Sequence, residues 1–251
     1  MTFSKNILLI FVLIIFIGFQ NSSYSQMSRK EIDEERTLYK NNNVKTVIIL
    51  SSNGYRNVTE IDREGKKIKS NDFYNNQEVN ITNYEYDLNG NLIEESYYGY
   101  ESGDGSTSIY EYDEIGNVKS ILTVGGDENK TIFRYDSSGS VTIIEIYDIG
   151  LNPQPPFIKE FENIYTDERI STITGICNSN IETADYTQYT YDKDLLISVE
   201  KFDKSCKDGT LKFSSREIYT YFPNMLVKQT SYESDYSEGI EITKYDYEYY
   251  R

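Results

Sequence analysis

The 251-residue chain contains no histidine and no tryptophan, and only two cysteines. Without histidine the Ser-His and Cys-His nucleophile pairs and the common zinc-ligand sets cannot be assembled. No Walker-type or dinucleotide-binding glycine pattern occurs, so phosphate cradles of those kinds are excluded. Positive charge is also scarce, with 25 Lys and Arg against 41 Asp and Glu. A domain this acidic repels phosphate backbones and anionic membrane surfaces, which argues against nucleic acid and peripheral lipid as partners. The same carboxylates keep a tyrosine-rich chain in solution, with a cation or a basic partner as the sharper alternative. Carboxylate pairs are inevitable among 41 acids, and none is marked out as a glycosidase pair, so the chain reads as non-enzymatic.

Long apolar runs are scarce too, with one exception. Lys5 followed by Ile7 to Phe19 (ILLIFVLIIFIGF) has the form of a signal-peptide n-region and h-region. Ser23 and Ser25 supply small residues at the −3 and −1 positions, predicting cleavage after Ser25 and a mature start at Gln26. The 13-residue run is shorter than the roughly 20 residues needed to span a bilayer, so stable insertion after cleavage is not expected. No cysteine lies near that point for lipidation. The expected location is secreted, periplasmic or cell-surface. Loss of Lys5 leaves 24 bases against 41 acids, a charge of −17. In an oxidising compartment Cys177 and Cys206 are expected to form a disulfide, the alternative being two buried thiols.

What the chain has in abundance is tyrosine, 25 in all, written in a repeated unit. Full copies are Tyr84-Glu85-Tyr86-Asp87-Leu88-Asn89-Gly90, Tyr110-Glu111-Tyr112-Asp113-Glu114-Ile115-Gly116 and Phe133-Arg134-Tyr135-Asp136-Ser137-Ser138-Gly139. A forerunner, Ile61-Asp62-Arg63-Glu64-Gly65, precedes them. Later copies around Tyr165, Tyr191 and Tyr221 lose the glycine, and Tyr245-Asp246-Tyr247 reads as the start of one more. From Ile61 the second aromatic, or its equivalent, recurs after 25, 26, 23, 30, 26, 30 and 26 residues. Such a period marks a repeat architecture.

Each letter has a physical role. Aromatics at i and i+2 share one face of a strand, with a polar residue between them on the other. Asp62, Asp87, Asp113 and Asp136 suit the first position of a type I turn, and Gly65, Gly90, Gly116 and Gly139 supply positive φ three residues later. The unit is therefore a β-hairpin. Joined by variable segments, these hairpins predict an all-β fold: a long curved antiparallel meander of about seven to eight repeated hairpins. With about 14 to 16 strands it should curl, coil or close. Residues 28–40 form the only predicted helix, so residues 1–25 are a leader, 26–43 a helical linker and 44–251 the sheet domain.

The YxYDxxGN(L/V) unit resembles the YD repeat of the Rhs and teneurin-like superfamily, over roughly residues 55–251. That resemblance implies a spiralling β-sheet. The family's large toxin-enclosing shells need many more repeats than this chain carries. What it implies about function is a binding role, with carbohydrate as one ligand class.

Two further stretches bear on binding. DLNGNLIEE (87–95) fails the EF-hand pattern, because Gly90 falls at position 4 and Leu92 at position 6, so no metal and no cofactor is expected. Tyr97, Tyr98 and Tyr100 lead into a Gly-rich acidic loop and form the candidate binding patch. The expected function is a protein-interaction or cell-envelope scaffold with an unknown partner, the alternative being a carbohydrate-binding module using exposed tyrosines.

Overall fold

A computed structural model describes residues 29–250 except 101, 126–127, 150–154, 167–168, 178–181, 194 and 236–238. The leader assigned to residues 1–25 and its cleavage point lie outside the described residues. Helix α1 spans Arg29–Asn41. The strands that follow are β1 (Val44–Ser51), β2 (Tyr55–Ile61), β3 (Lys67–Tyr74), β4 (Gln77–Tyr86) and β5 (Leu92–Gly99). Next come β6 (Gly105–Tyr112), β7 (Val118–Val124), β8 (Asn129–Tyr135), β9 (Val141–Asp148), β10 (Phe157–Thr166) and β11 (Arg169–Gly175). The last five are β12 (Thr183–Asp192), β13 (Leu195–Ser205), β14 (Leu211–Tyr221), β15 (Val227–Ser234) and β16 (Glu241–Tyr249).

These strands form one closed antiparallel barrel in which every strand pairs with its chain neighbours and β1 pairs with β16. The meander expectation is therefore corrected: the sheet is not an open curve but a ring. Twist carries a long sheet round on itself, and closure removes the two unpaired edges that an open meander would expose.

The repeat builds the hairpins in one stereotyped way. Asp113 N donates to Asn117 O at 2.9 Å, and Gly116 N donates to Asp113 O at 3.1 Å. The Asp113 carboxylate caps the same turn, taking bonds from Ile115 N (3.1 Å) and Asn117 N (2.8 Å). Asp62 and Asp136 repeat this pattern with their own turn amides. Gly65, Gly90, Gly116 and Gly139 have φ of +84°, +84°, +89° and +82°. Each turn adjoins a bulge just before the second aromatic, as at Glu111/Tyr112 and Arg134/Tyr135. The copy at Phe222 makes the same turn without glycine, placing Met225 at φ +68°.

The seam repeats that geometry without a turn. Val44 pairs with Tyr249 and Thr46 with Glu248, skipping a residue as Val118 and Ser120 do against Tyr112 and Glu111. Tyr250 N donates to Asn43 O at 2.8 Å, just as Asp113 N does to Asn117 O. Tyr247-Glu248-Tyr249-Tyr250 is thus the last copy, and β1 serves as its return strand. Seven turn-linked hairpins and this unlinked one complete the ring.

Helix α1 identifies the inner face. Leu38 is buried among Val44, Val47, Ile49, Ile61 and Leu226, with Tyr39, Tyr245 and Tyr247 packed alongside. Arg36 Nη1 donates to Gly90 O in the β4–β5 turn at 3.0 Å, and Asn42 Nδ2 reaches Asn224 O in the β14–β15 turn at 3.4 Å. A helix of about 20 Å can touch turns so far apart around a ring only from its concave side. The tyrosines sharing the face of Val47 and Ile49 therefore point inward, and α1 occupies the barrel mouth at the Asp-Gly turn end. A second apolar cluster, Val118, Phe133, Val141 and Ile144, lines the inner face of β7–β9.

Candidate functional site

At the end of the barrel opposite α1, the connecting loops vary in length and sequence. The inner wall of β2–β5 leading to them is polar. Asn57 Nδ2 donates to Asp72 Oδ1 at 2.7 Å, and Asn80 Nδ2 lies 3.4 Å from Asp72 Oδ2. Tyr97 OH donates to Asn80 Oδ1 at 2.7 Å. Thr59 Oγ1 bridges Asn57 Oδ1 (2.8 Å) and Ser70 Oγ (2.6 Å), and Tyr84 OH donates to Ser70 Oγ at 3.4 Å. The network follows from strand alternation, since Asn57, Asp72 and Asn80 are successive cross-strand partners on one face. On β5 and β6, Glu95 Oε2 accepts from Tyr110 OH at 2.8 Å.

Burial raises the pKa of the Tyr55, Tyr84, Tyr97 and Tyr110 hydroxyls, and the Asp72 or Glu95 carboxylates beside them raise it further. Tyr245, across the seam, is pushed up to about 12, first by burial and then by Glu217. These phenols are neutral hydrogen-bond donors, not phenolate nucleophiles.

The opposite wall carries a charged pair. Burial pushes the Lys201 amine down and the Glu217 carboxyl up, against their mutual attraction. The Tyr219 hydroxyl faces Glu217, and burial followed by that carboxylate raises its pKa. Among the described residues no group of three His, Cys, Asp or Glu side chains is placed to hold a metal ion.

The candidate patch Tyr97, Tyr98 and Tyr100 is divided by the sheet. Tyr97 belongs to the inner network, whereas Tyr98 and Tyr100 meet edge to face at 5.4 Å on the outside, 44% and 46% exposed. Adjacent residues on a strand point to opposite faces, which the triplet reading overlooked. Cys177 and Cys206 are joined in a disulfide with Cα atoms 5.5 Å apart, tying the β11–β12 loop to the start of the β13–β14 loop.

One role was missed from the sequence. The second tyrosine of a repeat donates its hydroxyl to a carbonyl at the start of the preceding hairpin's return strand. Tyr112 bonds Leu92 O (2.7 Å), Tyr135 Val118 O (2.7 Å), Tyr191 Ile170 O (3.1 Å) and Tyr221 Leu196 O (2.6 Å). In the last copy it is the first tyrosine, Tyr247, that makes the equivalent bond, to Val227 O at 2.9 Å. Where Tyr165 turns instead to Asp136, Asn163 Nδ2 takes the place on Val141 O at 2.9 Å. A signal was there to read: this second aromatic is Tyr in every copy from Tyr86 on, while the first position varies to Phe133 and Asn163.

The outer face mixes exposed apolar side chains, such as Leu50, Ile109 and Ile218, with charged ones. Glu200 and Arg216, near the midpoints of β13 and β14, form an outward ion pair whose Nε–Oε1 distance is 2.6 Å. Arg134 and Glu145 do likewise on β8 and β9 at 2.6 Å, and Glu60, Lys69 and Lys244 also occupy outward positions.

No protein-family model matches the chain, and no curated protein matches it in sequence. Among solved structures, a porin-like protein from Bacteroides uniformis aligns with 10% identity and a TM-score of 0.46, over 82% of this chain and 97% of that one. A TcdB2-TccC3-Cdc42 complex aligns with 10% identity and a TM-score of 0.27, over 77% of this chain but only 15% of the other. A Photorhabdus luminescens Tc holotoxin pore gives the same identity and TM-score, over 76% of this chain and 14% of that one.

Proposed function

We propose that this chain is an exported, non-enzymatic barrel that stands in water and presents its variable-loop end to a protein partner, as an envelope scaffold. The observation that carries this reading is the contrast between its two ends. Helix α1 sits in the mouth at the Asp-Gly turns, whereas the connections at the other end differ in length and sequence and adjoin a polar inner wall. Binding residues concentrate on loops held by a rigid scaffold.

The outer face supports an aqueous setting. A lipid-facing barrel needs an apolar band about 25 Å tall, and Arg or Lys at its midplane costs about 2–4 kcal/mol. Arg216 and its partner Glu200 sit where that band would have to be. Export rests on the leader-like first 25 residues and on the disulfide, which persists in oxidising compartments. Kinship with YD-repeat proteins is part of this reading, carried by the repeat itself. A carbohydrate ligand is the second reading, favoured by the outward Tyr98–Tyr100 pair.

Site-specific photo-crosslinking in the native envelope tests it. A crosslinker at Ser102 in the β5–β6 loop should capture one defined protein, and one at Asn89 in the Asp-Gly turn should not. Capture only at Asn89, or flotation of the protein with lipid vesicles, would overturn the reading. Glycan-array binding lost in Tyr98→Ala/Tyr100→Ala would replace it with the carbohydrate one.

A further inference from the structure

The ring has one joint unlike the others. Every adjacent strand pair except β1–β16 is linked by a short connection, so the seam is held by non-covalent contacts alone. Helix α1 lies across that joint on the inside. On one flank Glu35 pairs with Lys67 of β3 at 3.0 Å, both nearly buried, and Arg36 holds the β4–β5 turn. A Cβ at Gly65 would overlap Arg36 O, so this turn and the helix backbone are in direct contact. On the other flank Tyr39 packs with Tyr245 and Tyr247 of β16, and Asn42 reaches the β14–β15 turn.

We propose that α1 is a clasp that keeps the β1–β16 seam closed within one molecule, and that its release lets a second copy of this chain pair across the same two edges. Opening the seam would bare the hydrogen-bonding edges of β1 and β16 together, the situation that strand-edge pairing relieves. The occupant is a second copy because the complement already exists: β16 of one molecule fits β1 of another in the register Val44 to Tyr249 through Ser51 to Thr243. Two such exchanges close a symmetric dimer using only bonds the monomer makes. The clasp favours the monomer by raising the local concentration of one edge at the other.

The test places a cysteine pair on the outer face of the seam. Leu50 and Lys244 are register partners, so Leu50→Cys/Lys244→Cys should oxidise to a disulfide there. In the otherwise native chain this bond should form within one molecule and run as a monomer on a non-reducing gel. Adding Leu38→Ala, which loosens the clasp, should raise the covalent dimer at least about fivefold after concentration, in keeping with an effective concentration lost at the seam. A folded Leu38→Ala protein whose bond stays within one molecule would overturn the proposal. So would a Leu38→Ala protein with no β-sheet signal, since α1 would then be part of the folding core and not a clasp. Arg36→Ala, which leaves the apolar seat intact, should give a smaller rise in the same direction, and no rise there would also count against it.

Discussion

The hydroxyl of Tyr135 donates to the carbonyl of Val118 at 2.7 Å, tying one hairpin to the hairpin before it. Val118 opens β7 and is buried, so its carbonyl has little water to turn to. The bond lies between repeats, beyond the Ser120–Ile132 pair at which the β7–β8 ladder ends. Tyr135→Phe should therefore cost about 1 kcal/mol, lowering the melting midpoint by about 2–4 °C. Tyr112→Phe and Tyr221→Phe should behave alike in the same thermal melts. Unchanged midpoints in all three would mean that the hydroxyls are dispensable and the rings alone matter.

Gly65 and Gly139 share nearly the same φ but differ in surroundings. A Cβ at Gly65 meets Arg36 O, whereas at Gly139 nothing lies within 4 Å. Gly139→Ala should cost only the backbone penalty of about 1 kcal/mol, and Gly65→Ala clearly more, because α1 must also shift. Gly90→Val should fall between wild type and Gly65→Ala in urea titrations. Equal losses at Gly65 and Gly139 would mean that α1 does not bear on the turn.

Acid should loosen the turns. Burial pushes the Asp136 carboxyl up, but donation from the Tyr165 hydroxyl and the Ser140 and Ser138 amides outweighs it, leaving it below the usual carboxylate range. At Asp87 desolvation also acts upward, and backbone and side-chain bonds from Asn91 outweigh it, so this carboxyl is lowered too. A carboxylate with a depressed folded pKa stabilises above its unfolded value of about 3.9, and that stability is lost as pH falls through the folded value. The urea midpoint should thus decline from about pH 5 downward, and Asp136→Asn should make the decline shallower. A parallel decline in the variant would assign acid sensitivity elsewhere.

The disulfide should matter to stability. Cys177 and Cys206 are 29 residues apart, and reducing the bond should cost roughly 3–4 kcal/mol on the chain-entropy account. Denaturant titrations with and without reductant measure this directly. A loss below about 1 kcal/mol would mean that the two loops are held without the bond.

Hairpins could be read from the sequence because each is a local event: aromatic spacing, aspartate and glycine lie within about ten residues. Closure could not, because VKTVIILS and EITKYDYEY meet across almost the whole chain and neither carries a turn signal. Tyr245-Asp246-Tyr247 reads as a unit cut short, yet the true last copy is Tyr247 to Tyr250, with its return strand supplied by β1. The site was legible only in part. Tyr97 and Tyr98 fall on different faces, and the Asp72 network draws on residues that no repeat letter marks. The tyrosine–carbonyl bonds were hidden because they run between repeats and not within one.

The unlinked eighth hairpin also fixes how such a barrel can change size. Each copy of the repeat brings an outgoing and a returning strand, and the last copy must find its return strand at the front of the chain. Gaining or losing one whole copy alters the circumference by two strands and leaves the joint intact, whereas a single added strand would set β1 and its new neighbour parallel and replace the antiparallel register of the joint. Whole copies of the repeat therefore change the ring by two strands at a time while keeping the antiparallel joint of β1 with the last strand.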